Sequence, residues 1–325
     1  MADILALAGA NLVSPLILSF VLGLGAALLR SDLSVPEAAA KAVSIYLLFA
    51  IGFKGGVAVA AHGLDARLGA GIAAGVVLSF ALPVLAFGLL GVLTRLSRLD
   101  RAAVAAHYGS ISIVTFVAAT AVVEARGLAY EGWMVAVAAA MEAPAILTAL
   151  WLAGPRAGGD RPAEAGLWRE VLLNGSVVLL VGAFAIGAAT GETGMARIEG
   201  FVTVPFQGIL CLFLLDMGLV AGRGLLSSRA VLAPGAVAFG LLMPLVGAAF
   251  GLGAALLVGL SPGGAALLTA LAASASYIAV PAALRVALPE ANPSVYLTLS
   301  LGVTFPFNLT LGLPLYVAAA AALAG

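Results

Sequence analysis

Charge is scarce in this sequence and its signs cancel: charged side chains are 9% of 325 residues, with 15 Lys and Arg against 15 Asp and Glu. A chain with no net charge and no basic tail has nothing to hold a polyanionic backbone, which sets nucleic acid aside. Cysteine occurs once, as Cys211 within an apolar run, so neither a disulfide framework nor a thiolate metal site is available. The two histidines, His62 and His107, read as interfacial residues, with no carboxylates beside them to complete a metal site. No P-loop, His-Glu-x-x-His or Gly-x-Ser-x-Gly pattern occurs, so ATP-driven transport and the common hydrolases lack their signatures. Paired aspartates and a Ser-His arrangement are missing too, which argues against an intramembrane enzyme.

What the chain has instead is apolar length. Hydrophobic residues make up 63% of it, with a mean hydropathy of +1.18. A water-soluble domain of this size needs more polar surface than that. Runs long enough to cross the roughly 30 Å hydrocarbon core as helices recur from end to end. They lack the two-residue alternation of a membrane barrel. The fold class is therefore an all-α polytopic membrane protein, with about ten spans near 12–30, 38–61, 68–94, 102–124, 131–153, 171–190, 200–221, 230–259, 264–288 and 291–323. The N-terminal stretch has no Lys or Arg before its first apolar run, so it reads as a retained span rather than a cleaved leader.

Basic residues set the orientation. Loops after odd-numbered spans contain or border Arg30, Lys41, Arg95, Arg98, Arg101, Arg156, Arg161, Arg169, Arg223, Arg229 and Arg285, whereas those after even-numbered spans have Lys54, Arg67, Arg126 and Arg197. Odd loops are expected in the cytoplasm and both termini outside. Arg285 is expected to cap the cytoplasmic end of its segment. A hydrophilic stretch at 154–170 divides the chain into a first five-span half, 1–153, and a second, 171–325. Five is odd, so the halves enter the membrane in opposite senses.

The halves also resemble each other. Ser14 matches Ser176, Gly52 matches Gly218, Gly-Ser-Ile-Ser (109–112) matches Ala-Ser-Ala-Ser (273–276), and Pro144 matches Pro306. Two inverted five-helix repeats are the plan of many secondary transporters, in which discontinuous helices meet near the membrane midplane. Free backbone N–H groups there face an anion, while carbonyls and hydroxyls bind sodium. Small residues can also serve plain helix packing. Recurrence of Ser-x-Ser in both halves, with Pro281 close behind the second copy, favours a split binding site with two discontinuous helices. Glu142, just before Pro144, is an intramembrane carboxylate and so a candidate functional group, the alternative being a protonated or locally paired one. Lys54 and Asp216 lie in matching segments and read either as an intramembrane pair or as snorkelling ends.

The order Ile-Gly-x-x-Gly-Gly (51–56), Ser-x-Ser, "GLAYEGW…MEAPAIL" (127–147) and "SASYIAVPAALRVALPEANPSVY" (274–296) resembles the sodium-dependent bicarbonate transporter family. The resemblance covers nearly the whole chain except the central linker. It implies sodium-coupled bicarbonate uptake by an elevator-like movement, in a homotrimer in a bacterial inner membrane. No cofactor is implied beyond Na+ as coupling ion, and the partners are the anion, sodium and the lipid bilayer. Cyanobacterial members bind a PII-like regulator; the linker here is much shorter. Carried over, the substrate site is Gly109, Ser110, Ser112, Ser274, Ala275 and Ser276, with Tyr277 where those members have aspartate. The sodium site is Glu142, also an aspartate there, with Thr115 and with Thr304, the repeat equivalent of Glu142. Transport of a different small solute on the same architecture, or a channel, are the alternatives.

Overall fold

The computed structural model describes residues 14–62, 67–142, 144–154, 175–227, 233–277 and 279–325, all helical or in short connections. In chain order the helices are α1 (Pro15–Leu28), α2 (Glu37–His62), α3 (Arg67–Leu93), α4 (Arg98–Gly109), α5 (Ile113–Ala125), α6 (Met134–Ala140), α7 (Pro144–Ala153), α8 (Gly175–Val202), α9 (Phe206–Ser227), α10 (Pro234–Val258), α11 (Pro262–Ala273), α12 (Ala279–Ala287) and α13 (Pro293–Leu323). Among the described residues seven helical stretches are long and apolar enough to cross a membrane, and α1 and α11 are shorter apolar helices. The chain is a polytopic helical protein.

Start signals are local. Ser14, Ser97 and Ser261 cap α1, α4 and α11 by accepting from the N–H of Ile17, Asp100 and Gly264, and proline opens α1, α10 and α11 where its missing N–H costs nothing. Gly259 ends α10 in the left-handed conformation, φ 73°. One expectation fails here. Residues 190–199 were expected as an outer loop; the helix does break there, at Gly191 (φ 55°, ψ −150°), but the residues after it form a second helical stretch of α8 to Val202 instead of a loop. The polar residues around Glu192 and Arg197 are good helix formers, and only the glycine interrupts the helix. The expected linker, 154–170, lies outside the described residues beyond Gly154.

Helices sort into two groups. In the first, α1 packs along α9 and α2 along α8, with α9 also touching α2. Four glycines make this possible. A Cβ on Gly23 would lie 2.0 Å from the Leu215 carbonyl oxygen, and one on Gly218 would lie 2.2 Å from that of Phe20. The other pair repeats the arrangement, Gly56 at 2.0 Å from the Phe184 oxygen and Gly187 at 2.1 Å from the Phe53 oxygen. Each helix thus carries a bulky residue, two others and then glycine, and the glycine accepts the partner's backbone. The second group contains α3–α7 and α10–α13, with α3 on α4, α7 and α10, and α11 on α10, α5 and the end of α13. Its α4–α5 segment is 94% buried inside the protein.

Long helices of this second group are irregular. Pro83 lies inside α3 and Pro244 inside α10. In α13 two stretches, Thr298–Thr304 and Asn308–Gly312, widen into π-type turns, and the Phe305 and Leu313 N–H groups reach back five residues to the carbonyls of Ser300 and Asn308.

Candidate functional site

Two helix breaks meet in the second group. The first separates α4 from α5: Ser110 (φ −84°, ψ 152°) and Ser112 (φ −97°, ψ 108°) are extended. The second follows α11, where Ser274 (φ −82°, ψ 164°) is extended and α12 begins only at Ala279. The breaks are tied across the fold. Ser112 donates its N–H to Ser274 Oγ at 2.9 Å, and that hydroxyl donates to the Leu271 carbonyl at 2.7 Å. Ser276 donates its N–H to the His107 carbonyl at 2.8 Å, while His107 Nδ1 donates to the Ser276 carbonyl. Asn308, held by Tyr316, donates to the Ala273 carbonyl at 2.8 Å and satisfies the open end of α11.

These bonds decide which donors remain for a ligand. The N–H groups of Ser110, Ser112, Ser274 and Ser276 are all engaged within the protein, and that of Thr115 is accepted by Ser112 Oγ at 3.2 Å. The middle residue of each break differs. The N–H groups of Ile111 and Ala275 have no hydrogen-bond partner among the described residues. The Ser110 hydroxyl is likewise buried without a partner, and the Tyr277 phenol is buried beside the Ser112 side chain with no other partner among the described residues. Ala275 was expected in the site; Ile111 was not, because an apolar side chain gives no sign of what its backbone offers. Gly109 stands at the end of α4 for steric reasons: a Cβ there would lie 2.2 Å from Pro83 Cγ and 2.9 Å from the Ala145 Cβ.

A third break, between α6 and α7, carries Glu142. Ser79 of α3 bridges it, donating to the Met141 carbonyl at 2.7 Å and accepting from the Ala145 N–H at 3.2 Å. Glu142 itself is 3% exposed, and its Oε2 is buried without a partner. A carboxylate in that position calls for a cation or a proton. The three expected sodium ligands are not joined by hydrogen bonds. Thr304 donates to the Gly240 carbonyl at 2.6 Å and meets the Tyr108 hydroxyl at 2.7 Å, which links it to α4 and α10. Among the described residues no three His, Cys, Asp or Glu side chains converge.

Two vestibules lie at opposite ends of α2. The larger, about 920 Å³, is lined by Lys41 and Ser44 of α2, Asp216 and Arg223 of α9, and Thr298 and Leu301 of α13, and it reaches Tyr277. The other, about 710 Å³, is lined by Lys54, Arg67, Tyr130, Glu131, Glu192 and Ser261, and reaches none of the serines at the breaks. Lys54 does not pair with Asp216. Its ammonium meets both oxygens of Glu124, at 2.8 and 3.0 Å, and lies 5.0 Å from the centre of the Phe206 ring. Tyr130 also donates to Glu124, at 2.9 Å, and burial together with that carboxylate pushes its phenol pKa up. The pair joins α2 of the first group to α5 of the second. His107, expected at an interface, is fully buried and stacks on Tyr296 at 4.7 Å. The side chains of His62 and Arg285 lie outside the described residues.

Paired helix breaks with free N–H groups within a polytopic helical protein are the plan of a membrane transporter. A family model for the Na+-dependent bicarbonate transporter superfamily matches residues 15–321, and the chain belongs to that superfamily. Bicarbonate transport with sodium as coupling ion is the family's activity. No curated protein matches the chain.

Proposed function

We propose that this protein is a symporter that couples sodium entry to uptake of bicarbonate or a similar small monovalent anion, moving its second helix group past the first in an elevator-like step. The observation that carries the reading is the pair of facing breaks, whose Ile111 and Ala275 N–H groups and Ser110 hydroxyl have no partner among the described residues. Peptide N–H groups beside a helix start favour negative charge. Ser110, Ser112, Ser274, Ser276 and Tyr277 surround them, and Gly109 keeps the approach close. Sodium is assigned to Glu142, with Thr115 and Thr304 as further oxygens, because a buried carboxylate with an unpartnered Oε2 offsets a cation's charge.

An inverted repeat of ten spans belongs to this plan, and four pairs of positions support it. Phe20–Gly23 and Phe184–Gly187 stand at the same offset along the chain as Ser110 and Ser274. Phe53–Gly56 and Leu215–Gly218, and likewise Pro83 and Pro244, are separated by nearly that offset. The backbone contacts therefore favour Gly56, rather than Gly52, as the counterpart of Gly218, and in that register Lys54 answers Asp216. The α1–α9 and α2–α8 contacts then exchange under the repeat. With odd loops in the cytoplasm and both termini outside, the vestibule that reaches Tyr277 opens inward, and the Lys54–Glu124 pair closes the outer side. The same reading includes a homotrimer in a bacterial inner membrane.

Radiolabelled bicarbonate uptake into proteoliposomes, with and without an inward sodium gradient, tests the proposal. Accumulation only with sodium is expected. Equal uptake when potassium replaces sodium would refute coupling, and no uptake under either condition would refute the substrate.

A further inference from the structure

The bond from the His107 ring to Ser276 has a chemical consequence for the anion site. A ring nitrogen facing a carbonyl must carry the proton, so Nδ1 is the N–H nitrogen and the imidazole is fixed in one tautomer. Its Nε2 then stays buried without a partner. The main chain of His107 accepts from the Ser276 N–H at 2.8 Å at the same time. One residue of α4 therefore takes both polar groups of one residue in the opposite break. Two neighbouring strands exchange a pair of bonds in the same way, with the imidazole here in place of the second N–H.

Along an extended backbone, successive residues turn their N–H and C=O groups to opposite sides. Ser274 is extended, and both backbone groups of Ser276 are drawn toward His107. The Ala275 N–H, next to this clasped residue, has no partner among the described residues. Burial of His107 at 0% exposure and its stack on Tyr296 leave the ring no other place to go.

We propose that His107 is a positioning residue for the anion: it clasps the Ser276 peptide and so presents the neighbouring Ala275 N–H to the ligand. It acts through Ser276 and not by touching the ligand. The assignment deepens the transport reading above and rests on it. Two residues decide the test. Phenylalanine keeps the stack on Tyr296 and removes the donor, whereas asparagine restores an N–H near the position of Nδ1.

The experiment measures uptake by reconstituted His107→Phe and His107→Asn at varied bicarbonate and at varied sodium, with thermal unfolding of each purified protein. His107→Phe is expected to raise the bicarbonate KM at least tenfold and to leave the sodium half-saturation within twofold. His107→Asn is expected to bring KM back to within threefold of the native value. An unchanged KM in His107→Phe overturns the proposal, as does an equal loss of maximal rate in both variants with KM constant, which marks a purely structural role. If His107→Phe does not fold, the asparagine variant decides alone: KM within threefold with sodium dependence intact supports the clasp, and a larger rise overturns it. A native protein that moves no bicarbonate fails the transport reading and this one together, whereas a working transporter indifferent to His107→Phe fails only this one.

Discussion

Replacing Glu124 by glutamine keeps the size of the side chain and leaves Tyr130 an oxygen to donate to, but it removes the negative charge opposite Lys54. The two side chains are 20% and 29% exposed, and their closest approach is 2.8 Å. Exposed pairs contribute about 0.2–1 kcal/mol, and breaking a fully buried one costs about 3–5 kcal/mol. A pair of intermediate burial should fall between, at about 1.5 kcal/mol, which corresponds to roughly a tenfold change in an equilibrium constant. Because the pair joins α2 to α5 on the side away from the Tyr277 vestibule, in the proposed orientation that loss falls on the inward-open arrangement. Glu124→Gln should therefore shift the ratio of inward-open to outward-open molecules about tenfold toward outward. A cysteine at Ser44, in the wall of the vestibule that reaches Tyr277, reports the change in a Cys211→Ser background. Its labelling by an impermeant maleimide from the inner face should slow in Glu124→Gln and in Lys54→Glu. It should recover when Lys54→Glu and Glu124→Lys are combined. Additive effects in that double-mutant cycle, or labelling that ignores all three variants, would refute the assignment of the pair as an outer closure.

Glu142→Gln should leave the protein folded and raise the sodium needed for half-maximal uptake at least tenfold, about 1.4 kcal/mol of lost ion binding; normal sodium dependence would place the cation on backbone carbonyls instead. Tyr277→Phe keeps the ring-edge contact with Phe305 at 5.5 Å and removes one hydrogen bond to a charged ligand, so the bicarbonate KM should rise by the equivalent of about 1.5–3 kcal/mol while sodium dependence stays constant. Gly109→Ala drives a methyl into the Pro83 ring, which cannot swing aside. Thermal unfolding should show a loss of about 1–3 kcal/mol, and an unchanged melting temperature would mean that α3 and α4 separate more easily than their contact implies.

Much of this was legible in the sequence, for particular reasons. Apolar runs give the fold class because a membrane demands length and hydrophobicity together. The breaks at 110–112 and 274–277 were visible because serine, glycine and proline weaken a helix locally. The free donors were harder to see. Ile111 contributes an N–H that every residue but proline possesses, so nothing in its side chain marks it. His107 reads as interfacial until its partner, 169 residues away, is in place. Lys54 has the same history: its partner is Glu124, 70 residues on, and not the residue in the matching segment. Gly52 was matched to Gly218 by spacing in an apolar run, where shifted registers look alike, whereas the backbone contacts favour Gly56. The stretch after Gly191 was misjudged for its polarity, which composition alone assigns to a loop.

The widened turns of α13 bear on how this chain can change length. A π-type turn is, in effect, an ordinary helix holding one residue too many. Removing a residue from an ordinary α-helical stretch, such as Leu245–Val246 of α10, would rotate everything beyond it by about 100°, turning Gly247 and Gly251 away from the α11 backbone they touch. Removing one between Leu299 and Gly302 would instead let the wide turn close into regular helix. The faces on either side, with Tyr296 before and Asn308 and Tyr316 after, would keep their directions. Helix α13 is thus the place where the chain can lose or gain a residue by drift without remaking the binding region around it.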